Sequence, residues 1–324
     1  MIDIPPELTT AIDHELSGVP LGPLRAVVQN LSIRYRTRDF GPVATEDVQA
    51  YAAFRLPATF GAVSAAFNQI QPRLGNSFSP RSLLDIGSGP GTVMWSAFSR
   101  WPSIEQIPLV ERDPSMTAFG RRLQQHSSHE AIQHARWLAQ DVRAPLPDHP
   151  IDLAVASYVL GELDVTSRWA VTQSLWALHP GLLVLVEPGT SMGFLTIRTL
   201  RQQLIAHGAQ VVAPCPHDQS CPLIEDDWCH FGQRIPRSRL HRQAKSAVLG
   251  YEDEKFSFVA VSARARPMPS HLSRIVRRPQ IAKGHVRLSL CTPEGVIDEA
   301  VASRGSTHYK RARNASWGDE FPLN

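Results

Sequence analysis

The sequence predicts an α/β fold built on a seven-stranded, doubly wound and mostly parallel sheet. Short apolar runs alternate with helical patterns from about residue 82 to residue 262, which is typical of a parallel sheet covered by helices on both faces. A glycine-rich loop at residues 87–91 joins the first run to the first helix, where such sheets bind their ligands. These two features together predict a Rossmann-like architecture.

The N-terminal region, residues 1–75, is predicted to be helical. Apolar residues recur there at helical spacing, for example at Phe60, Val63 and Phe67. Helix-breaking residues then cluster between Pro72 and Pro80, and the pattern changes to short apolar runs. We therefore place the start of the main domain at residue 76.

The main domain is predicted to extend over residues 76–265. Its predicted strands cover residues 82–86, 107–110, 135–139, 151–156, 182–186, 210–213 and 256–262. A long insertion, residues 214–254, separates the last two strands and holds three of the four cysteines. Residues 266–324 are predicted to form a small, basic C-terminal β extension, in which residues 285–291 and 296–301 pair as a hairpin.

Composition limits the classes of partner and the location. The sequence holds no apolar run of the length that a membrane-spanning helix requires, so no membrane partner is expected. The first seven positions include two acidic residues and two prolines, where a leader is basic and apolar, and this predicts a cytoplasmic protein. The net charge of +3 is too small to indicate a nucleic-acid partner, but basic residues outnumber acidic ones from Arg264 onward.

The glycine-rich loop predicts the ligand class. Gly87, Gly89 and Gly91 let the backbone approach a nucleotide-like ligand closely, and Ser88 lies between the first two. Dinucleotide-binding loops have the spacing G-x-G-x-x-G, whereas this loop has three alternating glycines preceded by Asp85. The spacing therefore favours a class I S-adenosylmethionine-dependent methyltransferase fold.

Acidic residues at three consecutive strand ends strengthen this interpretation. Asp85 ends the first strand, where a carboxylate organises the amino acid end of the methyl donor. Glu111 ends the second strand, where two ribose hydroxyls need an acceptor, and Asp141 follows the third, where it can accept from the adenine amino group. The predicted donor-binding residues are Asp85, Gly87, Ser88, Gly89, Gly91, Glu111 and Asp141.

The sequence does not identify a catalytic residue. The segment after the fourth strand, residues 157–162, lacks the Asn/Asp-Pro-Pro-aromatic motif of enzymes that methylate base amines and the Pro-Cys pair of those that methylate pyrimidine C5. Pro214 and Cys215 form such a pair after the sixth strand, in a cysteine cluster, and we reject that thiol as a nucleophile. Tyr158 and Glu162 are expected to line the mouth of the site.

The four cysteines are candidates for a metal or cluster site. Cys215, Cys221 and Cys229 lie in a short proline-containing stretch, and Cys291 ends a predicted hairpin strand. Clustered thiols in a reducing compartment favour metal ligation over disulfides, with unligated packed thiols as the alternative. The spacing matches neither a zinc ribbon nor a common ferredoxin run, so zinc and an iron-sulfur cluster both stay open.

Several motifs together resemble a known family, the Rsm-type methyltransferase-like proteins of the small ribosomal subunit, which occur in bacteria and in mitochondria. The motifs that carry the resemblance are residues 84–91, 157–163, 186–190, 213–217, 221–223 and 251–257. The resemblance implies a [4Fe-4S] cluster held by Cys215, Cys221, Cys229 and Cys291. It also implies association with the small ribosomal subunit or its assembly intermediates.

Basic residues provide a surface for such a partner. The C-terminal extension is basic, and a second basic run comprises Arg234, Arg237, Arg239, Arg242 and Lys245. Contacts of this kind bind phosphates without reading sequence. Two functions follow from the resemblance: a donor-binding methyltransferase-like protein that acts on the small subunit or its rRNA, or a non-catalytic assembly or translation factor that uses the fold as a binding module.

Overall fold

Three helices precede the first strand. They are α1 (Pro6–Glu15), α2 (Leu21–Thr37) and α3 (Thr45–Leu74), and α3 packs against the main sheet. Many small alanine side chains along α3 allow this close approach, and apolar residues such as Phe60 and Phe67 are buried there. The structure, a computed structural model, describes residues 2–37, 44–147, 149–223, 227–237, 242, 249–263 and 272–322.

The main sheet has the strand order β3-β2-β1-β4-β5-β8-β6, and β7 pairs with β8. Strands β1 to β5 are parallel, whereas β8 runs antiparallel to β5, β6 and β7. The strands are β1 (Leu83–Ile86), β2 (Pro108–Glu111), β3 (Arg136–Ala139), β4 (Leu153–Ser157), β5 (Leu182–Pro188), β6 (Gln210–Ala213), β7 (Phe231–Pro236) and β8 (Tyr251–Ser262). The strand order reverses direction between β1 and β4, and their carboxyl ends form the crevice where such sheets bind ligands.

Helices cover both faces of this sheet, because alternate strand residues point to opposite sides. Val184 packs with α3 and α4 in one core, whereas its neighbours Leu183 and Leu185 pack with α7 and α8 in the other. Asp113, Asp164 and Thr190 cap α5, α7 and α8 by accepting hydrogen bonds from backbone N–H groups of the first turn. The helices are α4 (Thr92–Arg100), α5 (Pro114–Gln124), α6 (Glu130–Gln133), α7 (Val165–Ala177) and α8 (Ser191–Ala206), with a 3-10 turn at Leu160–Glu162.

A second, antiparallel sheet forms the C-terminal part of the chain. It consists of β9 (Leu272–Ile275), β10 (Gln280–Ala282), β11 (His285–Cys291), β12 (Ile297–Ser303) and β13 (Glu320–Pro322), and α9 (Tyr309–Asn314) packs on it. Strands β11 and β12 form the hairpin that the sequence predicts, with Leu288 opposite Ala300. None of the helices in the described ranges has the length and hydropathy that crossing a membrane requires.

The main sheet differs from the prediction in one respect, since it has eight strands rather than seven. Strand β7 lies inside the predicted insertion, and β8 begins at Tyr251 and runs for 12 residues instead of starting at Phe256. The charged stretch at residues 252–255 has no apolar face, so its pattern indicates a loop. Backbone pairing with β7, together with a cross-strand ion pair between Arg234 and Asp253, stabilises it as a strand.

Part of the predicted basic surface lies outside the described residues. Arg239 and Lys245 of the basic run, together with Arg264 at the start of the basic C-terminal region, lie outside the described residues. Arg234 and Arg237, by contrast, pair with Asp253 and Glu252 on β8.

Candidate functional site

The glycine-rich loop follows β1 directly and turns into α4. Gly87 and Gly89 adopt φ values of 62° and 53°, the left-handed region that side chains disfavour. A Cβ at Gly87 would lie 2.3 Å from Cγ2 of Val159, so only glycine fits beneath the loop that follows β4. A Cβ at Gly89 would have one heavy atom within 4 Å, Oη of Tyr51 at 3.8 Å. The loop therefore packs tightly on one side and has open space on the other.

Asp85 is fully buried at the end of β1, and neither of its carboxylate oxygens has a hydrogen-bond partner among the described residues. Burial raises the pKa of this carboxyl well above its usual range, and the neighbouring charge of Glu111 raises it further. The hydroxyls of Ser88, Thr92 and Ser157 are also buried there without a partner. Unpaired buried polar groups are costly, so this cluster fits a ligand that supplies the missing hydrogen bonds.

Glu111 lies beside the same loop. Its Oε2 accepts from the Gly89 N–H and its Oε1 from the Asp113 N–H, each at 2.8 Å. Burial nevertheless raises the pKa of the Glu111 carboxyl, because desolvation outweighs the two backbone hydrogen bonds. The structure thus brings Asp85, Glu111 and the three glycines together at one crevice.

Asp141 has a different environment after β3. Arg143 donates to both of its carboxylate oxygens, at 2.7 and 2.8 Å, and Nη1 of Arg112 lies 3.6 Å away. These hydrogen bonds hold the pKa of Asp141 below its usual range. Asp141 is therefore at the predicted sheet edge, but its carboxylate is already bound by arginine.

Tyr158 follows β4 at the predicted mouth of the crevice, with a φ of 58° that is unusual for a residue with a side chain. Its hydroxyl donates to Oε1 of Glu254 at 3.1 Å, and the Arg55 guanidinium donates to the same oxygen at 3.2 Å. Burial and the Glu254 charge raise the pKa of Tyr158 well above 10. Tyr158 was identified from the sequence, whereas Arg55 and Glu254 were not. The position of Arg55, a charged residue one turn after Tyr51 in an alanine-rich helix, could have indicated a functional side chain.

Two further carboxyls lie close to this mouth. Burial raises the pKa of Glu162 to about 7, with a smaller contribution from the charge of Glu111. Burial also raises the pKa of Glu187 to about 7, although its carboxylate accepts from the Gly161 N–H at 3.1 Å. Two buried carboxyls on this side of the sheet therefore have pKa values raised toward neutral pH, which is a common feature of ligand sites.

The four cysteines form a second site, because all four are free and line one cavity. Cys215 follows β6, Cys221 and Cys229 lie in the segment before β7, and Cys291 ends β11. Burial raises the pKa values of Cys221, Cys229 and Cys291, and the neighbouring thiols raise them further. The fold thus collects thiols from both sheets.

The spacing of the thiols bears on the group they could hold. In the part of the chain that the structure describes, no three ligand atoms around this cavity lie within 4.8 Å of one another. Four thiolates around one zinc ion, with bonds of about 2.3 Å, lie about 3.8 Å apart. The described thiols therefore do not form a preformed tetrahedral zinc site.

Two buried arginines border the cysteine cavity. Arg274 donates from Nε to the Pro214 carbonyl at 2.8 Å, and Arg201 donates to the His217 carbonyl at 2.7 Å. Burial lowers the pKa of Arg274 to about 10, which leaves it charged at neutral pH. Nε2 of His217 lies 3.4 Å from Sγ of Cys291. Fixed positive charge in such a cavity favours an anionic group, as a metal centre bound by four thiolates is.

Strand β8 contacts both sites. Glu254 reaches the mouth of the crevice, and three residues later the Ser257 hydroxyl donates to the Cys229 carbonyl at 2.8 Å. Next to Cys229, Nε1 of Trp228 donates to the Gly189 carbonyl at 3.1 Å, just after β5. The cysteine segment is therefore attached to the strand that supplies Glu254.

Comparison with known proteins identifies relatives. A family model described as mitochondrial small ribosomal subunit Rsm22 matches residues 45–322. The human mitochondrial ribosome assembly protein METTL17 is 32% identical over 84% of this chain and 62% of its own length. The mitochondrial Rsm22-cox11 tandem protein 2 of Schizosaccharomyces pombe is 25% identical over 90% of this chain and 45% of its own length. The chain thus spans less than two thirds of these relatives.

Solved methyltransferase structures superpose only loosely. Magnesium protoporphyrin IX methyltransferase from Synechocystis, with bound S-adenosylmethionine, has a TM-score of 0.42 and 14% identity, covering 81% of this chain and 98% of its own. The methyltransferase domain of a bacterial Hen1 has a TM-score of 0.39 and 13% identity, covering 62% of this chain and 97% of its own. The strand order, rather than these superpositions, defines the class I methyltransferase fold that the sequence predicts.

The comparisons contradict the predicted cytoplasmic location, since the family and both relatives are described as mitochondrial. That prediction depended on the composition of the first seven residues, which does not establish a location. The resemblance to ribosomal methyltransferase-like proteins, in contrast, is confirmed. Because the family model matches residues 45–322 of the 324, this chain belongs to the Rsm22 family.

Proposed function

We propose that this chain binds S-adenosylmethionine at the crevice after β1 and acts on the small ribosomal subunit or its rRNA. The observation that carries the donor proposal is the buried, unpartnered polar cluster of Asp85, Ser88, Thr92 and Ser157. The donor carries an ammonium, a carboxylate, a sulfonium and ribose hydroxyls, which match these groups. Its positive sulfonium also suits a crevice lined with carboxyls.

Each donor-binding residue has a role in this proposal. Asp85 attracts the ammonium, and the backbone at Gly87, Ser88, Gly89 and Gly91 lies against the donor. Glu111 exchanges the Gly89 N–H for the ribose hydroxyls. In this arrangement S-adenosylmethionine supplies most of the hydrogen-bond donors, and the side chains of the protein supply the acceptors.

The part of the crevice proposed to hold the adenine is not yet arranged to bind it. Asp141 accepts from the adenine amino group only after its hydrogen bonds with Arg143 rearrange. Arg143 is exposed, so this rearrangement displaces no packed side chain.

We further propose that Cys215, Cys221, Cys229 and Cys291 hold a [4Fe-4S] cluster, as the resemblance implies. The lack of a compact, zinc-like grouping of the thiols among the described residues supports a cluster over a single zinc ion. The buried Arg201 and Arg274 suit the negative charge that either centre carries with four thiolates. Such a group, when bound, supplies cross-links between segments that are distant in sequence. Here it joins the loop after β6 and the segment before β7 to β11 of the second sheet.

The ribosomal partner is proposed from the family and from the exposed charge. The human relative is named as a ribosome assembly protein, and the family description names the small ribosomal subunit. Exposed basic side chains of the C-terminal sheet provide contacts for rRNA phosphates. These residues are Lys283, Arg287, Arg304, Lys310, Arg311 and Arg313.

The second candidate is an assembly or translation factor that binds the donor without transferring its methyl group. The network of Tyr158, Glu254 and Arg55 favours it, because these hydrogen-bonded side chains would obstruct a methyl acceptor at the predicted mouth. The segment after β4 also lacks the acceptor motifs of base methyltransferases. In this case donor binding stabilises one conformation of the protein on the subunit.

One experiment separates the candidates. The purified chain is incubated with isolated small subunits from successive assembly stages and with donor labelled in its methyl group. Label in the rRNA that depends on Asp85 supports the methyltransferase, whereas donor and subunit binding without label supports the assembly factor. Asp85→Asn tests the dependence, and Glu130→Gln, an exposed carboxyl of α6 outside the basic C-terminal sheet, is the matched control. A chain that binds neither donor nor subunit contradicts both.

A further inference from the structure

A third cluster of metal-binding side chains lies outside both sites described above. His14 and Glu15 end α1, and His126 follows α5. One ligand atom from each of these residues lies within 4.8 Å of the other two. The imidazole rings of His14 and His126 are 5.0 Å apart, and Nδ1 of His14 is 3.7 Å from Oε1 of Glu15. The first two residues precede residues 45–322, the part that matches the family.

The carboxylate of this cluster is held in place by its second oxygen. The Glu15 side chain is 12% exposed, and its Oε2 accepts a hydrogen bond from Nε of Arg122 on α5. Its Oε1 is on the side of the imidazoles. Arg122 thus orients the carboxylate and leaves one oxygen for a cation, as the outer hydrogen-bond partners of metal ligands do.

The backbone elements that carry the ligands are already joined. Glu7, near the start of α1, accepts hydrogen bonds from the Ser127 hydroxyl and from the Ser128 N–H, both at 3.2 Å. Leu8 and Ile12 of α1 are buried in the main core. Both ends of α1 therefore contact α5 and the segment that follows it, and the three ligands meet without movement of a helix.

The ligand types select the cation. Two imidazoles and one carboxylate suit zinc and similar divalent transition metals, whereas calcium and magnesium prefer oxygen ligands alone. Three protein ligands leave a coordination position for water. The His14 side chain is 69% exposed, so a cation reaches the cluster directly from solvent.

We propose that His14, Glu15 and His126 form a zinc-type divalent metal site that clamps α1 to α5. A cation that binds the folded chain and not the unfolded one stabilises the fold by mass action. The clamp then fixes α1 against the main core. This site is independent of the donor and of the cysteines.

The test counts zinc ions on the full chain. Wild-type protein and the variants His14→Ala, His126→Ala and His134→Ala are equilibrated with zinc and analysed for metal per chain. We expect His14→Ala and His126→Ala to bind one ion fewer than wild type and to lose the zinc-dependent rise in Tm. His134→Ala, an exposed histidine outside the cluster, is expected to match wild type.

Cobalt distinguishes this site from the cysteines, since cobalt bound to thiolates gives strong charge-transfer bands that nitrogen and oxygen ligands do not give. We expect the ion that depends on His126 to lack those bands. Substitution of one ligand is expected to lower the affinity about tenfold or more. Because His14 is mostly exposed, His14→Ala tests the site without disturbing the core. Equal zinc content in wild type, His14→Ala and His126→Ala overturns the proposal.

Discussion

Asp85→Asn is predicted to weaken the binding of S-adenosylmethionine and, relative to wild type, to stabilise the folded chain as the pH rises. The wild-type carboxylate is fully buried with no hydrogen-bond partner among the described residues, and Glu111 lies nearby with the same charge. In the absence of donor, this arrangement destabilises the ionised form and raises the pKa of Asp85 in the folded chain. The free energy of unfolding that Asp85 contributes is therefore largest at acidic pH and falls as the pH rises toward the folded-state pKa.

The slope of this loss follows from proton linkage. Between the ordinary aspartate pKa of 3.8 and the raised folded-state value, the folded chain holds one proton more than the unfolded chain. Stability then falls by about 1.4 kcal/mol for each pH unit in that window. Asparagine does not titrate, so this slope is absent from Asp85→Asn. We expect the variant to gain stability relative to wild type as the pH rises.

Urea unfolding at pH 5, 6 and 7 without donor measures the effect. The difference in unfolding free energy between Asp85→Asn and wild type is expected to increase with pH, whereas Glu299→Gln, at an exposed site, shows no such trend. The same variant is expected to bind S-adenosylmethionine about tenfold to a hundredfold more weakly, because a charged hydrogen bond is lost. A difference that is flat, or that decreases as the pH rises, refutes the reasoning about the buried carboxyl.

Three further predictions concern the loop, the cysteines and the mouth. Gly87→Ala is expected to destabilise the chain by about 2–4 kcal/mol in urea unfolding, because its φ is 62° and its Cβ would lie 2.3 Å from Val159. Gly208→Ala, with a φ of 85° but open space around it, is expected to cost about 1 kcal/mol. Cys221→Ser, purified without oxygen, is expected to lose the iron and the brown colour of the wild type, as metal analysis and visible absorbance show. Glu254→Gln is expected to lower the free energy of unfolding by about 1–3 kcal/mol, because it removes the charge that pairs with Arg55.

Each of these predictions has an outcome that contradicts it. If Gly87→Ala and Gly208→Ala lowered the free energy of unfolding by the same amount, the contact with Val159 would be unimportant. Colourless wild-type protein that loses one zinc ion per chain on Cys221→Ser substitution would exclude the iron-sulfur proposal. Glu299→Gln is again the control for Glu254→Gln, and equal stability of these two variants would mean that the network at the mouth does not stabilise the fold.

The part of the fold in which apolar strands alternate with helices could be predicted from the sequence. Strands β1, β2, β4 and β5 are apolar runs flanked by helices, so their order along the chain and the loop after β1 were identifiable. The resemblance also related Cys291 to the other three cysteines, and the structure places all four at one cavity.

The remaining parts depend on contacts between distant residues. Arg55 and Glu254 meet only because α3 lies across the sheet beside β8. The local pattern marks Arg55 as unusual but does not show that its partner lies 199 positions away. The charged residues at the start of β8 resemble a loop until β7 pairs with them. Asp141 was correctly placed at a strand end, but its bond to Arg143 depends on side-chain geometry that spacing does not determine.

The most direct test of the central claim is a calorimetric titration of the purified chain with S-adenosylmethionine. The geometry of the crevice predicts one donor per wild-type chain, with much weaker binding to Asp85→Asn at pH 7. Cys221→Ser, provided that it stays folded, is expected to keep the donor site, because none of the predicted donor contacts involves a cysteine. A folded wild-type chain that binds no donor, or an Asp85→Asn variant that binds it as well as wild type, would contradict the assignment of this crevice.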